Sequence, residues 1–156
     1  MTIEQTAEER FWWLVRVAER LGCRAYVADY GPTAWGGRGG CVAGDRIIQV
    51  NTGEPLDSLA PAVLAAVEEA LGVETGIGAA AARWLSAQLL LMHELGHVML
   101  EHRKGPDLRD RHEAEAIEYA MRAMKALTAD ITEEEAAEAL KKIGQELTRE
   151  AGALTT

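Results

Sequence analysis

The sequence predicts a mainly helical α+β fold with a small antiparallel sheet of about three short strands. Ala, Leu, Glu and Val are frequent, and only 5% of the 156 residues are aromatic, which is typical of helical proteins. Apolar residues recur at helical spacing near both ends of the chain. Between residues 24 and 51, short runs containing Val, Ile and Tyr are interrupted by Gly and Pro, which favours strands and turns.

Residues 1–22 predict an N-terminal amphipathic helix. Thr6 and Glu9 have the spacing of a capping box, and Gly22 is a natural helix stop. The apolar face of this helix recurs at i+3 and i+4 and comprises Phe11, Leu14, Val15, Ala18 and Leu21.

The sheet is expected within residues 24–51. The segment RAYVADY (24–30) predicts a strand, and PTAWGGRGG (32–40) predicts a loop because five of its nine residues are Gly or Pro. Residues 41–51 predict a hairpin around Gly44-Asp45, since a Gly-first pair favours a type II′ turn.

Four helices are predicted after the sheet, each bounded by common caps and breakers. Asp57 or Ser58 starts the first and Asp107 the third, while Thr132 and Glu135 form a second capping box for the last. The expected ranges are 57–71, 79–103, 107–127 and 131–150, with Gly105-Pro106 stopping the second helix.

Composition excludes several classes of function. The net charge of −9 argues against nucleic acid or an anionic membrane as partner, because both attract clustered Lys and Arg. The acidic N-terminus lacks a secretory signal pattern, and the longest apolar run is interrupted by charged residues. Cys23 and Cys41 lack CxxC spacing, which favours two reduced thiols. We therefore expect a cytoplasmic protein of one domain.

The most apolar helix, LLLMHELGHVMLEH (89–102), contains a pattern of metal ligands. His93 and His97 are four residues apart, so their side chains lie on one helix face and can reach one Zn²⁺. Glu94 is rotated by about 100° from His93, beside the metal, where it can deprotonate a water molecule. A structural alternative is that backbone or carboxylate groups satisfy both imidazoles. Burying all three polar groups without a compensating charge would be costly.

A third ligand is expected from the next helix, since a catalytic zinc usually has three protein ligands. His97 lies six residues before the expected helix end, and Glu113 lies six residues after the expected cap at Asp107. At about 1.5 Å per residue, both sit about 9 Å from the turn. Glu113 also shares a face with Ile117, Ala120 and Met124, whereas Glu118 shares one with Arg122 and Lys125 that suits solvent. The sequence favours Glu113, with His112 and Glu115 as alternatives.

HELGHVMLEH followed by HEAEAIEYA (112–120) resembles the ImmA/IrrE family of zinc metallopeptidases, within the gluzincin group. The I-Q-V-N strand at 48–51 is also similar, and the resemblance covers about residues 24–127. It implies that His93, His97 and Glu113 bind zinc and that Glu94 is the general base. It further implies a catalytic core at 24–127, between an N-terminal helix at 1–22 and a C-terminal helix at 131–150.

This chain departs from the family pattern at position 117. The family usually has Asn or Asp four residues after the ligand Glu, where it orients a histidine ligand, and here that residue is Ile117. The LLMP-like ending of the family segment is replaced by MRAMKAL. The oxyanion stabiliser is not readable from the sequence, and Tyr26, Tyr30, His102 and His112 are candidates by residue type alone. Of these, His102 lies off the metal face and is expected beside the ligands or in solvent.

The leading hypothesis is a zinc endopeptidase. The resemblance implies a specific protein or peptide substrate, such as a transcriptional repressor, rather than general digestion. The alternative is a catalytically degenerate domain that binds a protein partner and uses zinc only structurally, which Ile117 motivates. A DNA-binding regulator is a third reading, against which the net charge of −9 counts.

Overall fold

The computed structural model describes residues 3–28, 39–42, 45–52, 79–102, 109–127 and 130–154. Within these ranges the mainly helical α+β class is confirmed in outline. The predicted helix at 57–71 and the part of the predicted loop that contains Trp35 lie outside them. In chain order the elements are α1 (Ile3–Arg20), β1 (Arg24–Ala28), β2 (Gly39–Val42), β3 (Ile47–Asn51), α2 (Ala79–Met99), α3 (Arg109–Ala126) and α4 (Glu133–Leu154).

The sheet has the strand order β1-β3-β2, with β3 in the centre. β2 and β3 pair antiparallel with Cys41 opposite Ile48, which confirms the predicted hairpin pairing. β1 instead pairs with β3 in parallel, with Tyr26 opposite Gln49. The expectation of an antiparallel sheet is therefore wrong, because the sheet is mixed.

The central position of β3 explains the mixed pairing. A simple meander would place β2 in the centre, but β2 begins with Gly39-Gly40, which has no side chain to bury. β3 packs on α2 and buries Ile48 and Val50 completely. The chain therefore passes through β2 at the edge and returns along β3, so that β1 and β3 run in the same direction.

Helix α1 starts earlier than the sequence predicted. It begins at Ile3, so Thr6 lies inside the helix and the predicted cap is wrong. The preceding Glu4 and Gln5 are good helix formers that extend the helix backwards. Its end is confirmed, since Gly22 adopts a positive φ of 82° and its N–H donates to Glu19 O at 2.9 Å. All five predicted apolar positions are buried.

One hydrophobic cluster contains buried side chains from all four helices and from β3. Phe11 of α1 and Trp84 of α2 pack against each other there, with ring centroids 5.5 Å apart.

In the described ranges, every helix is either too short or too polar to cross a bilayer.

Helix α2 ends four residues before the predicted end at Arg103. Its last residue is Met99, and the chain closes in a Schellman motif. In this motif His102 N–H donates to His97 O at 3.0 Å and Glu101 N–H donates to Val98 O at 3.1 Å. Glu101 adopts the left-handed conformation, with φ 53°, that usually falls to Gly at this position. The stop is therefore local, and the Gly105-Pro106 breaker is not what ends the helix.

Helix α4 begins as predicted, with the capping box intact. Glu135 N–H donates to Thr132 Oγ1 at 3.1 Å, and Thr132 N–H donates to Glu135 Oε1 at 3.4 Å. The helix continues to Leu154, four residues beyond the expected end. The predicted apolar stripe is confirmed, since four residues are buried against the other helices: Ala136, Leu140, Ile143 and Leu147.

Candidate metal centre

Helix α2 buries the three residues of the HExxH pattern inside the protein. His93, Glu94 and His97 are only 5%, 8% and 9% exposed. The two histidines lie one helical turn apart, with ring centroids 4.9 Å apart and nearly perpendicular rings. Their Nε2 atoms both contact the same partner on α3, so the two rings converge on one point.

That partner is the carboxylate of Glu113. Its Oε2 lies 3.0 Å from His93 Nε2, and its Oε1 lies 2.9 Å from His97 Nε2. A hydrogen bond from His93, which has the largest effect, and one from His97 hold the pKa of Glu113 far below its usual range, although burial acts in the opposite direction. The carboxyl group is therefore an anion that faces two imidazole nitrogens.

The arrangement fits a divalent cation. One ligand atom from each of His93, His97 and Glu113 lies within 4.8 Å of the others. Two ligand atoms that each lie 2.0–2.1 Å from a tetrahedral zinc are about 3.3 Å apart. The observed contacts of 2.9 and 3.0 Å therefore need only small movements to admit an ion.

Gly96 explains how Glu113 comes to face the histidines. A Cβ at Gly96 would lie 3.1 Å from Tyr119 Cβ and 3.2 Å from the carbonyl oxygen of Ala116. The missing side chain lets α3 lie directly against α2. Ala116 lies three residues after Glu113, and Tyr119 three residues after Ala116, so this side of α3 also brings the acid towards His93 and His97.

Tyr119 connects the contact between α2 and α3 to helix α4. Its side chain is fully buried, and its hydroxyl donates to Leu140 O of α4 at 3.1 Å. Burial raises the pKa of the Tyr119 hydroxyl well above its usual value, so the group stays neutral. α4 also comes close to the end of α2, since a Cβ at Gly144 would lie 3.4 Å from Met99 Cβ. Three helices therefore meet beside the candidate site.

Of the three acids and histidines that the sequence proposed as third ligand, only Glu113 contacts both His93 and His97. Glu115 instead accepts hydrogen bonds from His102 and Arg111. The His112 ring stacks on the His102 ring, with centroids 4.1 Å apart and planes 6° apart. The predicted end of α2 at Arg103 was wrong, because α2 ends at Met99, and the predicted cap at Asp107 lies outside the described residues. Glu113, which the sequence favoured for its helix face, is the acid that the structure brings to both histidines.

The outer nitrogens of the two histidines have different surroundings. His97 Nδ1 lies 2.9 Å from His102 Nδ1. His93 Nδ1 is buried and has no hydrogen-bond partner among the described residues. The resemblance placed an orienting Asn or Asp at position 117, and Ile117 has no group to offer. Among the described residues, one of the two histidines therefore has a contact at its outer nitrogen and the other has none.

The sequence predicted His102 beside His93 and His97 or in solvent, and it did not predict the contacts of His102 with His97 and Glu115. The expectation rested on a helix continuing to Arg103, which would turn His102 away from His97. The early end of α2 folds His102 back instead. Burial, the largest influence, lowers the pKa of His102, while its hydrogen bond with Glu115 acts in the opposite direction. The usable sequence signal is the five-residue spacing of His97 and His102, which matches the closing hydrogen bond of a Schellman motif.

The remaining candidates for oxyanion stabilisation are distributed differently. Tyr26 lies on β1 with 54% of its surface exposed. His102 and His112 contact each other beside His97, and Tyr30 lies outside the described residues.

Comparisons with protein-family models, with curated proteins and with solved structures found no match for this chain. Function is therefore inferred from the residues and geometry of the site itself.

Proposed function

We propose that this protein is a zinc-dependent peptidase similar to the ImmA/IrrE metallopeptidases. The observation that supports this proposal most is the convergence of His93 Nε2, His97 Nε2 and the Glu113 carboxylate within 4.8 Å. Two neutral imidazoles and one carboxylate are a common ligand set of catalytic zinc, which leaves a fourth position for water or substrate.

In this proposal the polar residues of the site have two separate roles. His93, His97 and Glu113 hold the ion, which when bound supplies Lewis acidity towards a carbonyl group and an adjacent water molecule. Glu94 accepts a proton from the attacking water at a carboxylate oxygen and later delivers it to the leaving nitrogen. Because Glu94 is 8% exposed, its carboxylate acts in a site from which most bulk water is excluded.

The proposed substrate is an extended polypeptide segment. In the described sheet, β1 and β2 are the two edge strands, and an edge strand offers backbone groups to which a peptide can add. The net charge of −9 favours a neutral or basic segment. The resemblance to ImmA/IrrE enzymes points to one regulatory protein, such as a transcriptional repressor, as the natural substrate, and this step is an analogy.

A second candidate function is partner binding by a degenerate domain in which the metal is structural. The observation that favours it is the buried His93 Nδ1, which has no hydrogen-bond partner among the described residues. Loss of an outer partner commonly lowers metal affinity or activity 10–100-fold.

Metal content per chain is the first test of the proposal. Wild type, His97→Ala, Glu113→Ala and Glu118→Ala would be purified without chelator and analysed by mass spectrometry. Glu118 is the matched control, since it lies on α3 like Glu113 but pairs with Arg122 at 2.9 Å. We expect about one zinc in wild type and in Glu118→Ala, and little or none in the other two. Wild type that takes up no zinc under supplementation would contradict the peptidase proposal.

Glu94→Gln then separates the two candidate functions. For a peptidase, this change should abolish cleavage of a peptide library or of a co-purifying protein, while zinc content and thermal stability stay close to wild type. For a partner-binding domain, it should leave partner capture unchanged. Cleavage that survives in Glu94→Gln would rule out Glu94 as the base.

A further inference from the structure

We propose that His102 is a positioning residue for His97, and that it acts through a hydrogen-bonded chain anchored on α3. The inference rests on zinc binding as described in the proposed function. The chain runs from His97 to His102, then to Glu115 and Arg111, with a contact of 2.9 Å at each step. It supplies to one ligand histidine the orienting contact that Ile117 cannot supply.

The direction of the chain follows from where the protons must be. A histidine that binds metal through Nε2 carries its remaining proton on Nδ1. His97 Nδ1–H therefore donates to His102 Nδ1, which must be unprotonated. His102 then carries its proton on Nε2 and donates to Glu115 Oε2, while Glu115 Oε1 accepts from Arg111 Nε. Every donor in the chain has one acceptor.

The opposite direction does not satisfy the same contacts. If His102 Nδ1–H donated to His97, a neutral His102 would turn an unprotonated Nε2 towards the Glu115 carboxylate at 2.9 Å, which places two acceptors together. Without an ion, the contact of 2.9 Å between His97 Nε2 and Glu113 Oε1 needs a proton on Nε2. A neutral His97 donates through Nδ1 only when an ion replaces that proton at Nε2, so the chain in the proposed direction belongs to the metal-bound site.

The backbone and a neighbouring ring hold His102 in place. The Schellman motif joins His102 N–H to His97 O at 3.0 Å, so one residue pair is connected through both main chain and side chains. Glu101 accepts a left-handed φ of 53° to close this turn, a conformation that is uncommon for residues other than Gly. His112 covers the other side of His102, with ring planes 6° apart. The ring is thus restrained from both helices before any metal binds.

Helix α3 also provides a matched control. Glu115 and Glu118 each form an ion pair at 2.9 Å with an arginine four residues away, Arg111 and Arg122 respectively. Only Glu115 also contacts His102. Replacing either acid by Gln removes the same charge from the same helix, and only one of the two changes disturbs the chain to His97.

The test compares zinc affinity in wild type and four variants, measured by competition with a chromogenic chelator. His102→Phe keeps the ring shape but removes the acceptor, and we expect affinity to fall about 10–100-fold. His102→Asn offers an amide oxygen that can accept the His97 proton and should recover part of the loss. The zinc affinity of Glu115→Gln should lie between those of the two His102 variants, and that of Glu118→Gln should match wild type. Circular dichroism would show that each variant is folded.

A second readout is the imidazole nitrogen spectrum of the ¹⁵N-labelled, zinc-loaded protein. In wild type the His97 Nδ1–H proton should exchange slowly with solvent. In His102→Phe this exchange should become fast, or the resonance should change its chemical shift. Wild-type affinity and an unchanged resonance in His102→Phe would overturn the inference, as would equal losses in Glu115→Gln and Glu118→Gln. A wild-type protein that does not bind zinc would overturn both proposals. If the affinities follow the expected pattern and Glu94→Gln still cleaves, only the role of Glu94 as the base is overturned.

Discussion

The two halves of helix α2 bury polar side chains in different ways. In the first half, Gln88 is 3% exposed and donates to Ala7 O of α1 at 2.8 Å. In the second half, His93 and His97 converge on one carboxylate, and His93 Nδ1 has no hydrogen-bond partner among the described residues. The first half follows the rule that buried polar groups find partners, and the second half follows it only in part.

The difference separates a polar group whose contacts are complete within the fold from a cluster that could hold a metal ion. Gln88 joins two helices, and its contact is complete without any ligand. The nitrogens of His93 and His97 that face Glu113 form a cluster that a cation would complete. Buried polar groups arranged towards one point are typical of sites rather than of cores.

The largest effect is expected at Gly96, the glycine between His93 and His97. Gly96→Ala places a Cβ 3.1 Å from Tyr119 and 3.2 Å from the Ala116 carbonyl, so α3 must move away and Glu113 with it. We expect a loss of about 1–3 kcal/mol in the free energy of unfolding from overpacking. Zinc affinity should fall at least about tenfold, since the ligand acid is displaced. Chemical denaturation and chelator competition would measure the two effects.

Gly152→Ala is the control for that change, because none of the described atoms outside the helix backbone lies within 4 Å of the added Cβ. In this helix the substitution should be neutral or stabilise by up to about 1 kcal/mol. Equal behaviour of the two alanine variants would show that the close contact of α2 and α3 does not depend on Gly96.

Gln88→Ala tests whether the first half of α2 is independent of the metal site. Loss of the hydrogen bond to Ala7 O and the resulting cavity should destabilise the protein by about 1–3 kcal/mol. The stabilisation added by zinc should remain that of wild type, as measured by melting with and without the ion. A reduced zinc increment in Gln88→Ala would break the distinction between the two halves.

Ile117→Asn should sharpen the contrast by supplying a polar group at the position where the resemblance implies an orienting residue. If that group reaches His93 Nδ1, zinc affinity rises by up to about tenfold. Ile117→Val keeps the site apolar and serves as the control. Chelator competition would compare the three proteins, and identical affinities would show that position 117 does not orient a ligand here.

The smallest effect is expected at the end of α2. Glu101→Gly removes the steric cost of the left-handed conformation, about 1–2 kcal/mol, at the expense of more chain freedom in the unfolded state. The net gain should be about 0.5–1 kcal/mol in thermal or chemical unfolding, with zinc affinity unchanged. A destabilised variant would indicate that the Glu101 side chain contributes contacts that outweigh the strain.

Several patterns with local causes were predicted correctly. The apolar faces of α1 and α4 and the capping box at Thr132 depend on residues three or four positions apart, which the sequence displays directly. Two local predictions were wrong: Thr6 lies inside α1, and α2 ends at Met99 in a Schellman motif without the usual Gly. The parallel pairing of β1 with β3 was missed for another reason, because neighbours in space decide it.

The sequence by itself determined that two histidines and a glutamate share one helix, and that an acid on the next helix can face them. Helical periodicity is a short-range property, so it needs no knowledge of the rest of the chain. Only the tertiary structure decided that Glu113 bridges both histidines and that His102 contacts His97 Nδ1, while His93 Nδ1 has no hydrogen-bond partner among the described residues. Those outcomes depend on how closely α3 approaches α2 at Gly96 and on how the chain turns at Glu101. Both are set by packing between segments that are distant along the sequence or by one strained residue.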